Sequence, residues 1–171
     1  PFSRAATDRV VLPPARATTV NDTNATRLLK NAFSTALHGA ERRRHQIFLD
    51  IFSGAGGVSA ELRKMGFAAL AMGIVHGEHF DMLRKSTERL ILGWIRSSCV
   101  FGVLLAVDCS SWTVALHGPP GSNWPPLRDA AHIAGLPGLR PGKQVSVSIG
   151  NALANFCCRI IRCCISIGVP V

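Results

Sequence analysis

The residue run with the clearest capacity for chemistry is Asp50-Ile51-Phe52-Ser53-Gly54-Ala55-Gly56-Gly57. Glycines permit a tight turn and let the backbone approach a ligand closely, and a helix starting just after them offers unpaired N–H groups. Nucleotide-binding loops use this device. A phosphate-binding loop would finish on Gly-Lys-Ser or Gly-Lys-Thr, and no such ending follows. A dinucleotide fingerprint starting at Gly54 would need glycine where the chain has Ser59, which disfavours an NAD-type oxidoreductase. A glycine turn without a ligand remains the plain alternative on local sequence alone.

The other reactive residue types point less sharply. Cys157, Cys158, Cys163 and Cys164 form two adjacent pairs with four residues between them, which is neither zinc spacing nor a disulfide ladder on one helix. They read as core packing, with Cys157 and Cys164 on one helical face and no metal expected. Abundant unpaired cysteine argues for a reducing compartment, cytosol or nucleus. His76, His79, His117 and His132 are scattered without a metal-ligand pattern. Arg42, Arg43 and Arg44 form a basic run that reads either as a solvated linker or as a nucleic-acid contact.

These residues need a framework. The chain has 171 residues, 47% of them hydrophobic and 17% charged, a composition for one globular core rather than a disordered segment. Its formal net charge of +9 favours polyanionic partners. No apolar run approaches the roughly 20 residues that span a bilayer, so no membrane span is expected. Residues 1–22, with Pro13 and Pro14, read as a flexible basic arm, and residues 23–46 as an amphipathic helix over 24–38, capped by Asp22 or Thr23, followed by a basic linker.

From residue 47 strands and helices alternate. The apolar runs 47–52, 67–72 and 100–107 predict buried strands, and 80–83 a short additional one. Helices are expected over 58–65, with Leu62 and Met65 inward, over 84–97, and over 143–167. Residues 113–142 carry Pro119, Pro120, Pro125, Pro126, Pro137 and Pro141 and read as a long irregular connection. Strands separated by helices imply an α/β fold with a mostly parallel, three-layer sheet, whose ligands bind at the carboxyl ends of the strands. The last residues read as a helix end and a strand barely begun, the pattern of a fragment.

Asp50-x-Phe52-Ser53-Gly54-x-Gly56-Gly57 resembles the first motif of S-adenosylmethionine-dependent methyltransferases, particularly the cytosine-5 DNA type. Val107-Asp108-Cys109-Ser110-Ser111-Trp112 occupies the place of that family's Pro-Cys loop, with Asp108 where the family has Pro. Ile91 to Ile95, and Gly118-Pro119-Pro120 through Leu127-Arg128-Asp129, look like a divergent methyltransferase-like domain of retroelement-type reading frames. The likeness spans about residues 47–171.

The resemblance implies a class I methyltransferase (Rossmann-like) fold, incomplete at its C-terminus, with S-adenosylmethionine as cofactor. Asp50, Phe52, Ser53, Gly54, Gly56 and Gly57 would form the cofactor loop, and Asp81 would meet the adenine. Cys109 would be the nucleophile: a thiolate adding to carbon 6 of cytosine makes carbon 5 able to accept a methyl group. Arg42, Arg43 and Arg44 would attract phosphates. The residue after the second strand, acidic in the family to hold the ribose hydroxyls, is Gly73, with Glu78 as the nearest substitute. The family's Glu-Asn motif would follow the strand beginning at Val169. The function expected is a methyltransferase-like domain, DNA cytosine-5 directed but degenerate or truncated. The alternative is a non-catalytic nucleic-acid-binding or scaffolding module of a mobile-element protein.

Overall fold

The structure is a computed structural model that describes residues 21–38, 46–112 and 126–171. The basic arm, the Arg42 to Arg44 run and much of the proline-rich connection lie outside the described residues.

Helix α1 (Asp22–His38) buries Ala25, Leu29 and Phe33, residues four apart that share one face. Its cap is neither Asp22 nor Thr23. Asn21 supplies it, the side-chain oxygen accepting the Asn24 N–H at 2.8 Å, which leaves Asp22 to accept hydrogen bonds from Arg84 and Ser86.

Three strands follow: β1 (Ile47–Ile51), β2 (Ala69–Met72) and β3 (Val100–Leu105). They form an all-parallel sheet in the order β2-β1-β3. The arrangement is α/β and compatible with a Rossmann-like layout. β1 is central: Ile47, Leu49 and Ile51, each 0% exposed, share one face, while Asp50, 2% exposed, and the half-buried Phe48 point to the other, so both its faces are covered. Fully burying each such aliphatic side chain contributes about 1.5–3 kcal/mol.

Helix α2 (Gly57–Lys64) links β1 to β2, and α3 (Lys85–Arg96) links β2 to β3. The chain steps from β1 to one neighbour and then back past it to the other. With right-handed crossovers that reversal sends α2 and α3 to opposite faces. α3 stacks Trp94 on Phe33 of α1, ring centroids 4.2 Å apart. Its Glu88, 7% exposed, is held by Arg159 of α4 (Pro141–Ile167) and by Lys85 at 3.1 Å. Burial alone would push the Glu88 carboxyl up, but the hydrogen bonds from Arg159 and Lys85, with their charges, outweigh it and hold the group below the ordinary carboxylate value.

Two more expectations are corrected. Residues 80–83 are not a strand: two 3-10 turns, Ile74–His76 and Glu78–Phe80, precede a turn in which the Asp81 carboxylate accepts the Leu83 N–H at 2.9 Å. Phe80 and Met82 are buried all the same, so an apolar signal arose from turns packed on the core. Met65 is 69% exposed rather than inward, because α2 ends at Lys64 and Gly66, at φ 83, turns the chain.

The described chain divides into two compact units. One contains the sheet, α1 to α3 and α4 from Leu153 on; the other spans residues 109–152. The second unit is organised around one guanidinium. Arg128, 8% exposed, donates to the carbonyls of Ser111, Val147 and Ile133, to the Ser111 hydroxyl and to the Asn151 side-chain oxygen. Trp112 stacks on it at 3.6 Å. All its nitrogens are satisfied by neutral acceptors, the condition for burying a cation without a carboxylate partner. Burial shifts its pKa down from the ordinary arginine value.

Cys157, Ile160, Cys163 and Cys164 line the buried face of α4 in the sheet unit. All six cysteines are free thiols. Burial, with Cys158 adjacent, pushes the Cys157 thiol up to about 11, so it stays protonated and packs as an apolar group. No helix among the described residues is long and apolar enough to cross a membrane, and no group of His, Cys, Asp and Glu among them has metal-binding geometry.

Candidate functional site

The strand order reverses at β1, so the crevice at the carboxyl ends of β1 and β3 is the topological switch point, where open α/β sheets take their ligands. The glycine run emerges there. Ser53 N–H donates to the Met72 carbonyl at 3.0 Å, pinning the bend to the end of β2, and Gly56 N–H closes a turn onto the Ser53 carbonyl at 2.8 Å. On the other side, Ala106 N–H donates to the Ile51 carbonyl at 3.1 Å.

The bend depends on backbone that few residues adopt. Gly54 and Gly56 sit at φ 53 and 75, and Phe52 at φ 64 is one of two non-glycine residues in the left-handed region among the described residues. The Phe52 ring is held edge-on by the buried Phe156, centroids 5.8 Å apart, which anchors it to α4. A Cβ added at Gly54 or Gly57 would meet nothing within 4 Å, so the outer side of the bend is open. At Gly56 a Cβ would come to 3.3 Å from Ala71 and 3.5 Å from the His76 ring.

Asp50 does not face the bend's open side. Its carboxylate, 2% exposed, accepts both the backbone N–H of Ser59 at 3.2 Å and the Ser59 hydroxyl at 2.9 Å. Gly56 occupies the N-cap of α2 and has no side chain to cap with, so Asp50, nine residues before Ser59, takes over that task from the strand. Its negative charge also suits a helix N-terminus. The N–H groups of Gly57 and Val58, in the first turn, have no partner among the described residues and are available to an acceptor.

Two more side chains belong here that the sequence did not nominate. His76, exposed and just past β2, shares a hydrogen bond of 3.1 Å between its Nε2 and the Ser53 hydroxyl. Ser59 fixes Asp50, as described. The only signal for Ser59 was the glycine at the N-cap, which implies an acceptor from elsewhere; a lone histidine gave none. Gly73 has extended backbone at φ 175, and its Cβ position would lie 3.6 Å from Ser53 N, so the end of β2 brings no acid to the bend.

The structure therefore brings Asp50, Phe52, Ser53, Gly54, Gly56 and Gly57 together at one strand end. Asp81 is in the sheet unit, half-buried, with one carboxylate oxygen engaged in the turn that leads into α3. Cys109 is exposed and falls in the other unit, where its carbonyl accepts the Trp112 N–H at 2.8 Å. Glu78 is half-buried in the second 3-10 turn. No protein family, no curated protein and no solved structure matches this chain.

Proposed function

We propose that the chain is an S-adenosylmethionine-binding, methyltransferase-like domain whose cofactor lies in the glycine bend after β1. The observation that carries this reading is the position of the bend: it rises from the central strand of a parallel sheet where the strand order reverses, open on its outer side and followed by a helix with two unengaged N–H groups. The residues present fit such a group. Gly54, Gly56 and Gly57 let a nucleoside approach the backbone, the Ser53 hydroxyl lies beside them, and Asp81 is the acid assigned to the adenine by the resemblance. The cofactor, when bound, supplies a methyl group on a sulfonium for transfer to a nucleophilic carbon. Cys109 is the residue the resemblance nominates to activate a cytosine, and the net charge of +9 suits a polyanionic substrate.

A second reading, a nucleic-acid-binding or scaffolding module that has kept the sheet without the chemistry, is favoured by Gly73, which leaves the end of β2 without an acid. Isothermal titration with S-adenosylmethionine separates the two. Micromolar binding that is abolished by Gly56→Asp, which forces a side chain into the left-handed region against Ala71, is the expected result. Absence of heat at millimolar cofactor refutes the first reading and leaves the second.

A further inference from the structure

We propose that His76, acting with Ser53, is the residue pair that recognises the ribose of the bound nucleoside, in place of an acid at the end of the second strand. The inference rests on the cofactor reading given above. In doubly wound sheets a nucleoside held by the glycine bend turns its ribose toward the end of the second strand, where a carboxylate about 20 residues past the glycines takes its hydroxyls. Here that end is Gly73, and a hydrogen-bonding group must come from elsewhere or the ribose goes unread.

The geometry offers one. Gly73 begins a 3-10 turn in which the His76 N–H donates to the Gly73 carbonyl at 2.9 Å, and that turn swings the imidazole back over the bend. The ring comes within 3.5 Å of the Cβ position of Gly56 and its Nε2 meets the Ser53 hydroxyl at 3.1 Å. The contact at Gly56 adds a steric reason for glycine there to the one given by its φ of 75, and it sets the ring beside the bend. With Nε2 protonated the ring donates to the Ser53 oxygen and the hydroxyl is left to donate to a sugar hydroxyl; in the other tautomer the Ser53 hydroxyl donates to Nε2 and its oxygen is left to accept from one. Unlike a carboxylate, the pair carries no negative charge when the ring is neutral. It therefore distinguishes ribose from deoxyribose without rejecting a phosphorylated sugar.

The test compares S-adenosylhomocysteine with its 2′-deoxyadenosyl analogue by isothermal titration, using the full chain. The wild-type protein is expected to prefer the hydroxylated ligand about ten-fold, the effect of one hydrogen bond. His76→Ala should reduce that preference to near unity while leaving the affinity for the deoxy analogue within about two-fold of wild type. Gly73→Asp added to His76→Ala should restore the preference, since the added side chain has ordinary contacts and extended backbone. The restored site should now discriminate against adenosine 2′-phosphate. Thermal unfolding of each variant confirms that the exposed histidine was not holding the fold.

If wild type binds both ligands equally at micromolar levels, His76 does not read the ribose although the cofactor reading survives. A gain in affinity for both ligands in His76→Ala shows that the imidazole merely covers the bend and also overturns the proposal. Absence of binding to wild type removes this inference together with the reading beneath it.

Discussion

Replacing Asp50 with Ala tests the bend's internal support most directly. The carboxylate is 2% exposed and accepts two hydrogen bonds from Ser59, a residue that is itself 0% exposed. A hydrogen bond to a charged group contributes about 1.5–3 kcal/mol, and a hydroxyl left buried without a partner costs about 1–3 kcal/mol. These terms overlap, so Asp50→Ala should destabilise the sheet unit by roughly 3 kcal/mol, a lowering of Tm by about 6–12 °C for a chain of this size. Urea denaturation followed by far-ultraviolet circular dichroism measures the change, with the slope m unaltered if only native contacts are lost. Asp50→Asn, which keeps one acceptor but loses the charge, should fall between wild type and Asp50→Ala. Ser59→Ala removes the hydroxyl, and the double variant should cost less than the sum of the singles by about 1 kcal/mol or more, because neither partner is then stranded. A loss below about 0.5 kcal/mol for Asp50→Ala, or strict additivity in the cycle, would refute the idea that a strand residue caps α2.

Two further outcomes follow from contacts elsewhere. Glu88 has a folded pKa below its ordinary value, so its contribution to stability is present above that value and is lost as the pH falls through the folded one. Melting temperatures measured from about pH 7 to pH 3 should decline at the acid end, and Glu88→Gln should flatten that part of the profile; an unchanged slope would remove the Arg159 and Lys85 pairing from the account. Gly150→Ala, a change that favours an ordinary helix by about 1 kcal/mol, should instead destabilise the protein by about 2 kcal/mol. The added methyl would collide with the Ser111 hydroxyl and meet Trp112 Nε1 at 3.1 Å and Arg128 Nη2 at 3.2 Å. Thermal unfolding reads the effect, and a variant as stable as wild type would contradict the packing around Arg128.

The strands β1 and β3 were legible because each is a short apolar run, broken in β1 only by Asp50, which suits a strand in a covered parallel sheet. The bend was legible too, since Gly54 and Gly56 adopt the backbone that their residue type suggests. Residues 80–83 misled because Phe80 and Met82 are buried, and burial of a few apolar residues does not distinguish a short strand from tight turns packed on the core. What stayed hidden was where polar groups point. Asp50 in an apolar run reads as a ligand-facing acid, and only the pairing with Ser59 reveals an internal prop. Arg128 resembled one basic residue among many, because its acceptors are mostly carbonyls, which leave no mark on sequence. His76 shows its place only once the turn after Gly73 folds it back.

Phe52 adds a consequence of another kind. A residue with a Cβ resists the left-handed region, yet here the ring's contact with Phe156 holds it there from below. The curvature of the bend is thus written by the apolar interior during folding, independently of any guest. A small molecule arriving at this rim finds its berth already shaped, and little of its binding free energy is consumed in ordering the chain.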